Sequence, residues 1–284
     1  MADKKIFDMN NFVIDRIIRG VALSQKDDSV LFSINQIQNA SLNCASESTD
    51  AVDAMGTPIA TFYRAKSAEF SAENALFDMG LLSTQLGTSK NVAGKNVEKI
   101  VVPAMETFVI GEKDKDGNVI TETYKLKHAP KGEIKEIYAL NGDSTFGIKY
   151  TVEDAISDDN FAIAGNVISL PNLKKTEDDT ATLTVGTEMF VMYEYETAKA
   201  VEVVNSAKNF PVGCKFVMEV LGCDVCDQTN LVYAYVIFNN AKLSPDFDWS
   251  IATDGTHPFS MKAQQDYCDR EKRLFSIVIP GDEE

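Results

Sequence analysis

Two runs decide the fold class: Lys215-Phe-Val-Met-Glu-Val-Leu221 and Asn230-Leu-Val-Tyr-Ala-Tyr-Val-Ile-Phe-Asn239. In the first, Phe216, Met218 and Val220 share one face and the charged residues fall on the other. This pattern is typical of a strand with one face on a core. The second run is apolar on both faces, which predicts a strand covered on both sides, by the core or by another subunit.

Outside these two runs, short β-rich segments separated by turn residues fill most of the chain. The other candidate strands are residues 29–41, 59–70, 97–110 with a break at Pro103, 119–126, 133–140, 145–152, 166–170, 181–185, 188–197 and 273–279. Residues 51–58 are predicted to be a loop. An Asp-Gly pair within residues 113–118 predicts a hairpin, because such turns need φ > 0 at both central positions. Many short strands beside one helix predict a mainly β protein, a β-sandwich or barrel.

One helix is predicted, over residues 71–86, flanking the β structure. Ser71 is a suitable N-cap because its side-chain oxygen can accept from an unpaired backbone N–H. Apolar side chains recur on one face of this segment, and Gly87 is a plausible stop after it. Gly80 in the interior costs about 1 kcal/mol relative to alanine, so this helix is expected to depend on packing.

The charge of the chain limits its function. It has 284 residues with 43 acidic and 27 basic side chains, which gives a formal net charge of −16. Such an excess repels phosphate backbones and anionic lipid surfaces, which argues against a general nucleic-acid or membrane-surface binder. The N-terminus has no apolar run of signal-peptide length, and no stretch is apolar enough to span a bilayer. We therefore expect a soluble protein made in a cytoplasm.

The cysteines provide the best candidate for a metal site. Cys223 and Cys226 form a Cys-x-x-Cys pair, which with Cys214 and Cys268 would supply four thiolates to zinc. A zinc ribbon needs two close pairs, however, and a redox pair normally opens a helix rather than a turn between strands. The favoured interpretation is that the cysteines are packing residues, with Cys223 and Cys226 as the remaining metal candidates.

No catalytic set is recognisable elsewhere. His128 and His257 have no Cys or His nearby in sequence, and both are expected to be solvated or capping residues. The Asp114-x-Asp116-Gly117 segment departs from the EF-hand pattern, and there is no nucleophile elbow or phosphate-binding glycine loop. We expect no enzymatic activity and no cofactor.

Several stretches together resemble the tail tube (major tail) proteins of tailed phages. They are residues 34–72, with Met55-Gly-Thr-Pro-Ile59 and Phe62-Tyr-Arg-Ala-Lys66; Tyr193-Glu-Tyr-Glu-Thr-Ala-Lys-Ala-Val201, followed by Phe210-Pro211; and the ending with Ala241-Lys-Leu-Ser-Pro245, His257-Pro-Phe-Ser-Met-Lys-Ala263 and residues 273–280. The resemblance lies in the residue character of these segments and in their order along the chain, and it covers about two-thirds of the sequence.

The resemblance implies a β-sandwich with a flanking helix and protomers joined in hexameric rings. The rings would stack into a tube whose lumen is a β-barrel shared between subunits. Long hairpins and terminal arms would connect one ring to the next, and residues 113–118 are a candidate arm. The protein would then belong to the virion tail, be assembled in the host cytoplasm, and contact other tail proteins, including a sheath in a contractile tail, but no membrane.

The same resemblance implies a division of the chain and a place for its charge. Residues 1–110 and 186–284 would form the tube-forming core, and residues 111–185 an inserted β-rich segment or outer domain. DNA must pass through the tube without binding, which suits an acidic lumen that repels phosphate at short range. Glu194 and Glu196 are the candidate lumen-facing residues.

Alternatives from other classes remain open. A β-rich acidic chain also suits a capsid decoration protein or another head-associated virion protein. Cys223 and Cys226 leave open a zinc-binding β domain. Trp249, beside acidic residues, leaves open a carbohydrate-binding β domain, although a core or interface tryptophan is the commoner case.

Overall fold

The computed structural model describes residues 9, 11–134, 136–175, 177, 180–267 and 270–281. Strands account for 54% and helix for 3%, so the protein is mainly β, which confirms the predicted fold class. The strands are β1 (Phe12–Ser24), β2 (Val30–Ile34), β3 (Ile37–Val52), β4 (Pro58–Asn74), β5 (Asn91–Val92), β6 (Ile100–Val109), β7 (Thr123–Lys125), β8 (Glu136–Leu140), β9 (Phe146–Glu153), β10 (Asn160–Ala164), β11 (Val167–Ser169), β12 (Glu188–Thr197), β13 (Val201–Glu202), β14 (Gly213–Asp224), β15 (Asp227–Leu243), β16 (His257–Ala263) and β17 (Ser276–Val278). Among the described residues the one helix is α1 (Met79–Gln85).

The chain divides into two compact units. The first contains the residues up to Lys90 and those from Val203 onward, and the second is Asn91–Glu202. The segment predicted to be an insertion, residues 111–185, lies inside the second unit. The flanking strands β6 and β12 belong to the sheet of that unit as well.

The first unit is built on one sheet in the order β2-β1-β14-β15-β16-β4-β3, with β17 paired to β15. This sheet curls, because β1 and β3 lie towards opposite ends of the order and yet approach each other. A Cβ added at Gly20 in β1 would lie 3.0 Å from Cδ1 of Ile37 in β3 and 2.7 Å from Cζ of Phe216. Glycine at this position therefore allows the curled sheet to close on its core.

Phenylalanine rings fill the space inside the curled sheet. The ring of Phe216 is completely buried, and its centroid lies 6.0 Å from that of Phe70, 6.3 Å from that of Phe32 and 6.4 Å from that of Phe238. These residues come from four different strands. The core therefore joins strands that are far apart in both the sequence and the order of the sheet.

The two runs that indicated the fold class form β14 and β15, which pair antiparallel around a turn. Phe216, Met218 and Val220 are buried as predicted. On β15 one face is buried, but Leu231 and Tyr233 on the other face are 48% and 47% exposed. Within one chain, the predicted cover of the second face is thus only partial.

The predicted helix over residues 71–86 is wrong in its first half. Ser71 lies in β4, opposite Ser260 of β16. Phe70 and Ala72 on either side of it are buried, so this segment follows the two-residue period of a strand held between two neighbours. The helix begins after Asp78, whose Oδ1 atom accepts a hydrogen bond from the backbone N–H of Leu81 at 2.7 Å.

Two glycines mark the helix, and both have a steric reason. A Cβ on Gly80 would lie 3.1 Å from Cβ of Phe32 and 3.2 Å from the carbonyl oxygen of Leu31, so the glycine lets α1 approach β2 closely. Gly87 follows the helix at φ +65°, as expected for a C-terminal stop, and a Cβ there would lie 2.1 Å from the carbonyl oxygen of Phe210.

The second unit contains a seven-stranded sheet in the order β6-β12-β8-β9-β10-β11-β7. Its strands are antiparallel except for the parallel pair of β9 and β10. The break expected at Pro103 is wrong, since β6 runs continuously through this residue. The reason is that β6 is an edge strand paired only with β12, where a residue without a backbone N–H is tolerated.

The structure also differs from the predicted strands in where some strands are present or absent. Residues 181–185 form no strand and contribute only an isolated bridge between Leu183 and Leu173. Conversely, β1, β10 and β16 were not among the candidate strands. β16 pairs with β4 along its whole length, so its β structure comes from a partner distant in sequence.

A buried carboxylate lies in the core of the second unit. Glu106 is 2% exposed. Its carboxylate accepts hydrogen bonds from the hydroxyls of Tyr124 (2.9 Å) and Tyr193 and from the backbone N–H of Lys127 (3.0 Å). Burial, reinforced by the bond to Glu106, raises the pKa values of both tyrosines, so both donors stay protonated at neutral pH. The network therefore ties β6 to β7 and β12.

We predict that Glu106→Ala lowers the free energy of unfolding by about 3 kcal/mol, because it leaves several buried donors without an acceptor. Urea unfolding followed by far-UV circular dichroism measures this change. The control is Glu122→Ala at an exposed position, where a change within about 0.5 kcal/mol is expected. Equal stability of the two variants would show that the buried network contributes nothing.

Candidate assembly interface

The most prominent exposed feature of the first unit is a two-stranded ribbon, residues 45–67, which we call the arm. β4 pairs with β16 only from Ala68 to Asn74, whereas it pairs with β3 almost from end to end. From Ala68 towards residue 45, the β3–β4 pair continues without a third strand from the described part of the chain. At about 3.3 Å per residue, the arm adds roughly 25 Å of paired strand beyond the sheet.

The tip of the arm is a well-formed turn. Asp53 Oδ1 accepts hydrogen bonds from the backbone N–H groups of Met55 (2.8 Å) and Thr57 (2.9 Å). Gly56 has φ +84°, which favours glycine. The loop predicted over residues 51–58 is confirmed as this turn, although strand structure reaches Val52 and resumes at Pro58.

Every residue of the arm is exposed in the single chain. Several of them are large and apolar: Val52, Met55, Ile59, Phe62 and Tyr63. Met55 at the tip is 89% exposed and Tyr63 is 72% exposed. Phe62 and Tyr63 are adjacent in β4 and so point to opposite faces. The arm therefore presents apolar side chains on both faces.

Such a ribbon is an unfavourable structure for an isolated chain in water. A two-stranded hairpin without further cover is marginally stable. Each of its edges carries unpaired N–H and C=O groups, which can pair with a strand of another chain. Exposed apolar side chains grouped together also mark protein–protein contact sites. Both the edges and the faces of the arm thus offer an interaction surface.

The arm expected from the sequence, residues 113–118, is a much smaller feature. The predicted hairpin turn is present: Asp114 Oδ1 accepts from the backbone N–H groups of Asp116 (2.9 Å) and Asn118 (2.8 Å). The bond from the Asn118 N–H contributes most to lowering the pKa of the Asp114 carboxyl. Only one bridge, between Lys113 and Val119, flanks the turn.

The two candidate lumen residues lie on one face of β12 in the second unit, and both are exposed. Glu196 is paired with cations: one of its oxygens lies 2.9 Å from Nζ of Lys131 and the other 3.8 Å from Nζ of Lys99. The bond to Lys131 is the main cause of the lowered pKa of Glu196. The carboxylate of Glu194 makes no hydrogen bond or ion pair with any other described residue, so its charge is the less compensated of the two.

The cysteine pair lies on the turn between β14 and β15. Cys223 is half-buried near the end of β14 and Cys226 is exposed in the turn, both as free thiols. Cys214 lies in the core of the first unit, where burial raises the pKa of its thiol to about 11. Cys268, the fourth candidate ligand, lies outside the described residues. In the part of the chain that is described, no three Cys, His, Asp or Glu side chains come together as a metal site.

The two histidines differ from each other. His128 is exposed and stacks on Tyr195, with 3.9 Å between the ring centroids. His257 is 1% exposed, begins β16, and its Nε2 lies 2.8 Å from Oε1 of Gln85, so the expectation of a solvated or capping residue is wrong for it. Burial lowers the pKa of His257. Its ring and that of Trp249 both stack on Phe77, at 5.2 Å and 4.2 Å.

Sequence reasoning missed the arm because its strands lack the alternation of a half-buried strand. The Asp53-Ala-Met-Gly56 turn, with β-forming residues before and after it, does indicate a hairpin. The apolar residues of its two strands fall on both faces rather than on one. A hairpin with no consistent buried face is either unstable or covered by another chain.

These features define a mainly β protein with a two-stranded arm whose apolar side chains are exposed in the single chain. A family model described as the YomU/Tube protein family matches residues 12–273, nearly the whole chain. The chain therefore belongs to this phage-derived tube protein family, which confirms the resemblance to tail tube proteins. No curated protein matches the chain significantly. The described residues include no helix long and apolar enough to cross a membrane.

We predict that the arm is the least protected part of the first unit in the unassembled chain. Amide hydrogen exchange read by mass spectrometry should be fast for residues 47–63 and slow for the paired centres of β14 and β15, because the arm lacks buried contacts. Protection of the arm equal to that of β14 in a monomeric sample would show that its exposed surface is covered by its own chain.

Proposed function

We propose that this protein is the building block of a phage tail tube, and that the arm provides its principal contact between subunits. The observation that carries the proposal is a ribbon, residues 45–67, exposed on both faces and both edges, in a chain of a tube protein family. Its role is structural, and we propose no catalysis and no cofactor for it.

Contact through the arm would use two kinds of interaction together. The free edges of β3 and β4 can add to a strand of a neighbouring copy, which satisfies their unpaired backbone groups. The apolar side chains on both faces would be buried at the same time, and full burial of each is worth about 1.5–3 kcal/mol. The half-exposed Leu231 and Tyr233 on β15 are a second apolar surface available to neighbouring copies.

Hexameric rings that stack into a tube are the assembly we propose, located in the virion tail and formed in the host cytoplasm. Repetition of one interface by rotation gives a closed ring, and repetition along an axis gives a tube. Other tail proteins would contact the ends of this tube, and a sheath would surround it in a contractile tail. DNA would pass through the lumen without specific binding, since acidic walls repel phosphate.

The first experiment tests the arm with the double variant Phe62→Ser/Tyr63→Ser. We expect it to fold normally but to raise the protein concentration needed for tube formation more than tenfold, because two large contacts are lost from each interface. Negative-stain electron microscopy over a concentration series measures tube formation, and thermal unfolding checks the fold.

The matched control is Phe210→Ser, an exposed phenylalanine of the same unit outside the arm. It should assemble like the unmodified chain. Tubes formed equally well by the double variant would contradict the role of the arm. Small oligomers of the unmodified protein without tubes at any concentration would favour a head-associated virion protein instead.

The second experiment tests the lumen assignment at Glu194. The unpaired carboxylate makes it a cleaner site than Glu196, whose replacement would also break the ion pairs with Lys131 and Lys99. In virions with Glu194→Lys, we expect tubes to assemble and DNA ejection to slow, most strongly at low ionic strength. Glu122→Lys, at an exposed position outside β12 and its neighbouring strands, serves as the control. Unchanged ejection kinetics would contradict a lumen position for Glu194.

A further inference from the structure

A partly exposed aromatic cluster lies just beyond the end of β4 that is opposite to the arm. The indole of Trp249 stacks on the ring of Phe77, with 4.2 Å between the centroids and 7° between the planes. Leu76, next to Phe77 in the chain, is 58% exposed, and Ile251, two residues after Trp249, is 85% exposed. We call these four residues the Trp249 surface. Exposed apolar side chains that are grouped in this way mark protein–protein contact sites.

The segment that carries Trp249 is acidic. Residues 244–256 contain Asp246, Asp248 and Asp254 but no Lys or Arg. All three aspartates are exposed, and none of them makes an ion pair with another described residue. A cation is attracted both by the face of a tryptophan ring and by neighbouring carboxylates. The Trp249 surface therefore fits a partner that combines apolar side chains with cations.

The arm has this combination of side chains on β4. Arg64 and Lys66 closely follow Phe62 and Tyr63, and all four are exposed. Arg64 lies opposite Glu47 in the register, yet neither Arg64 nor Lys66 makes an ion pair with another described residue. Tyrosine, tryptophan and arginine are also the residues that contribute most to binding at protein interfaces.

The carboxylates of the arm lie away from these cations along its length or on its other strand. Glu47 and Asp50 belong to β3, and Asp53 lies in the turn at the tip. Asp50 accepts a hydrogen bond from the hydroxyl of Thr61 at 2.7 Å, and Asp53 accepts from the backbone of the turn. The arm therefore presents its positive charge on β4, beside its two aromatic rings.

The arm and the Trp249 surface lie at opposite ends of the same strand. From Phe62 to Asn74, β4 covers about 40 Å at 3.3 Å per residue, and Phe77 follows three residues later. The arm is thus directed away from the Trp249 surface of its own chain and is available to that of a second copy. Complementary surfaces at opposite ends make a head-to-tail contact, which repeats from copy to copy instead of closing a dimer.

We propose that the arm of one copy binds the Trp249 surface of the next copy, with its aromatic rings on the cluster and its two cations beside the aspartates. This inference rests on the proposed function, for which it names the surface that receives the arm. A carbohydrate, the ligand considered above for Trp249, is the less suitable occupant. Phe77 already covers one face of the indole, and a neutral sugar would leave the aspartates without cations.

The test uses the full chain with Tyr63→p-benzoylphenylalanine, which places a photoreactive group in the arm. Isotope-labelled and unlabelled chains are mixed and irradiated, so that mass spectrometry of the digest identifies crosslinks between copies. We expect these crosslinks at residues 76–77 and 244–256. The same group at Phe146, which is 61% exposed in the second unit, is the matched control and should give none there. The proposal is overturned if the arm crosslinks only to other residues, or if no crosslinks form between copies.

Charge reversal tests the ionic part of the contact. We expect Arg64→Glu/Lys66→Glu in the photoreactive chain to lower the yield of this crosslink about tenfold, because repulsion replaces attraction. Asp246→Lys/Asp248→Lys should have the same effect, and thermal unfolding should show that both variants are folded. A mixture of the two variants should restore the yield, since each reversed arm then meets a reversed surface. A yield that does not change on reversal, or that the mixture does not restore, would also overturn the proposal.

The outcomes separate this contact from the tube itself, which electron microscopy detects in the same samples. Crosslinks to the Trp249 surface without tubes would support the contact and contradict the proposed tube. Tubes whose arms crosslink elsewhere would contradict the contact alone.

Discussion

The pairing of β4 with two different neighbours is the constraint on which the first unit depends. Over Ala68–Asn74, β4 is held between β3 and β16, and its inward side chains Phe70 and Ala72 complete the phenylalanine core. From residue 67 towards the tip, β16 is absent and only β3 remains. The same strand is therefore part of a stable sheet at one end and of an uncovered ribbon at the other. The sheet supplies the rigid base from which the arm extends.

The second unit holds carboxylates in two different ways. In the second unit a carboxylate is buried, and its cost is offset by two tyrosine hydroxyls and a backbone N–H that all point at Glu106. On the opposite side of the same sheet, Glu136 remains exposed and is positioned by Tyr138 and Lys149. The first arrangement fixes strands relative to one another in the core, whereas the second orients an exposed carboxylate on the surface of the sheet. One β-sheet thus has a buried carboxylate network on one face and an exposed, hydrogen-bonded carboxylate on the other.

Periodicity in the sequence was sufficient to predict the fold class and the strands with one apolar face. In β14, for example, Phe216, Met218 and Val220 occupy every second position and share the buried face. It failed where long-range pairing overrides local pattern. Ser71 follows a helical spacing but lies in a strand because β3 and β16 are on either side of it. Pro103 reads as a break but is tolerated at a sheet edge, and no local signal shows that β6 is an edge. His257 is buried by a ring stack with Phe77 and a bond to Gln85, and both of these residues lie more than 170 positions earlier in the chain.

The same limit applies to the functional surfaces. Alternation of apolar and polar residues is typical of a strand with one face buried in a core. The apolar residues of the arm do not alternate in this way, because neither face of the arm is covered by the described part of its own chain. The net charge of −16 likewise does not show which carboxylates can act on a partner, because the effect of each carboxylate depends on its neighbours. Glu106 is shielded in the core and Glu196 is compensated by Lys131 and Lys99, whereas Glu194 on the exposed face of β12 has no charged partner among the described residues. In the proposed tube, DNA would be repelled mainly by exposed carboxylates without a nearby cation, so the repulsion would be set by a subset of the acidic residues. That subset is defined by ion pairs between residues distant in sequence, such as those of Glu196 with Lys99 and Lys131, which the composition does not contain.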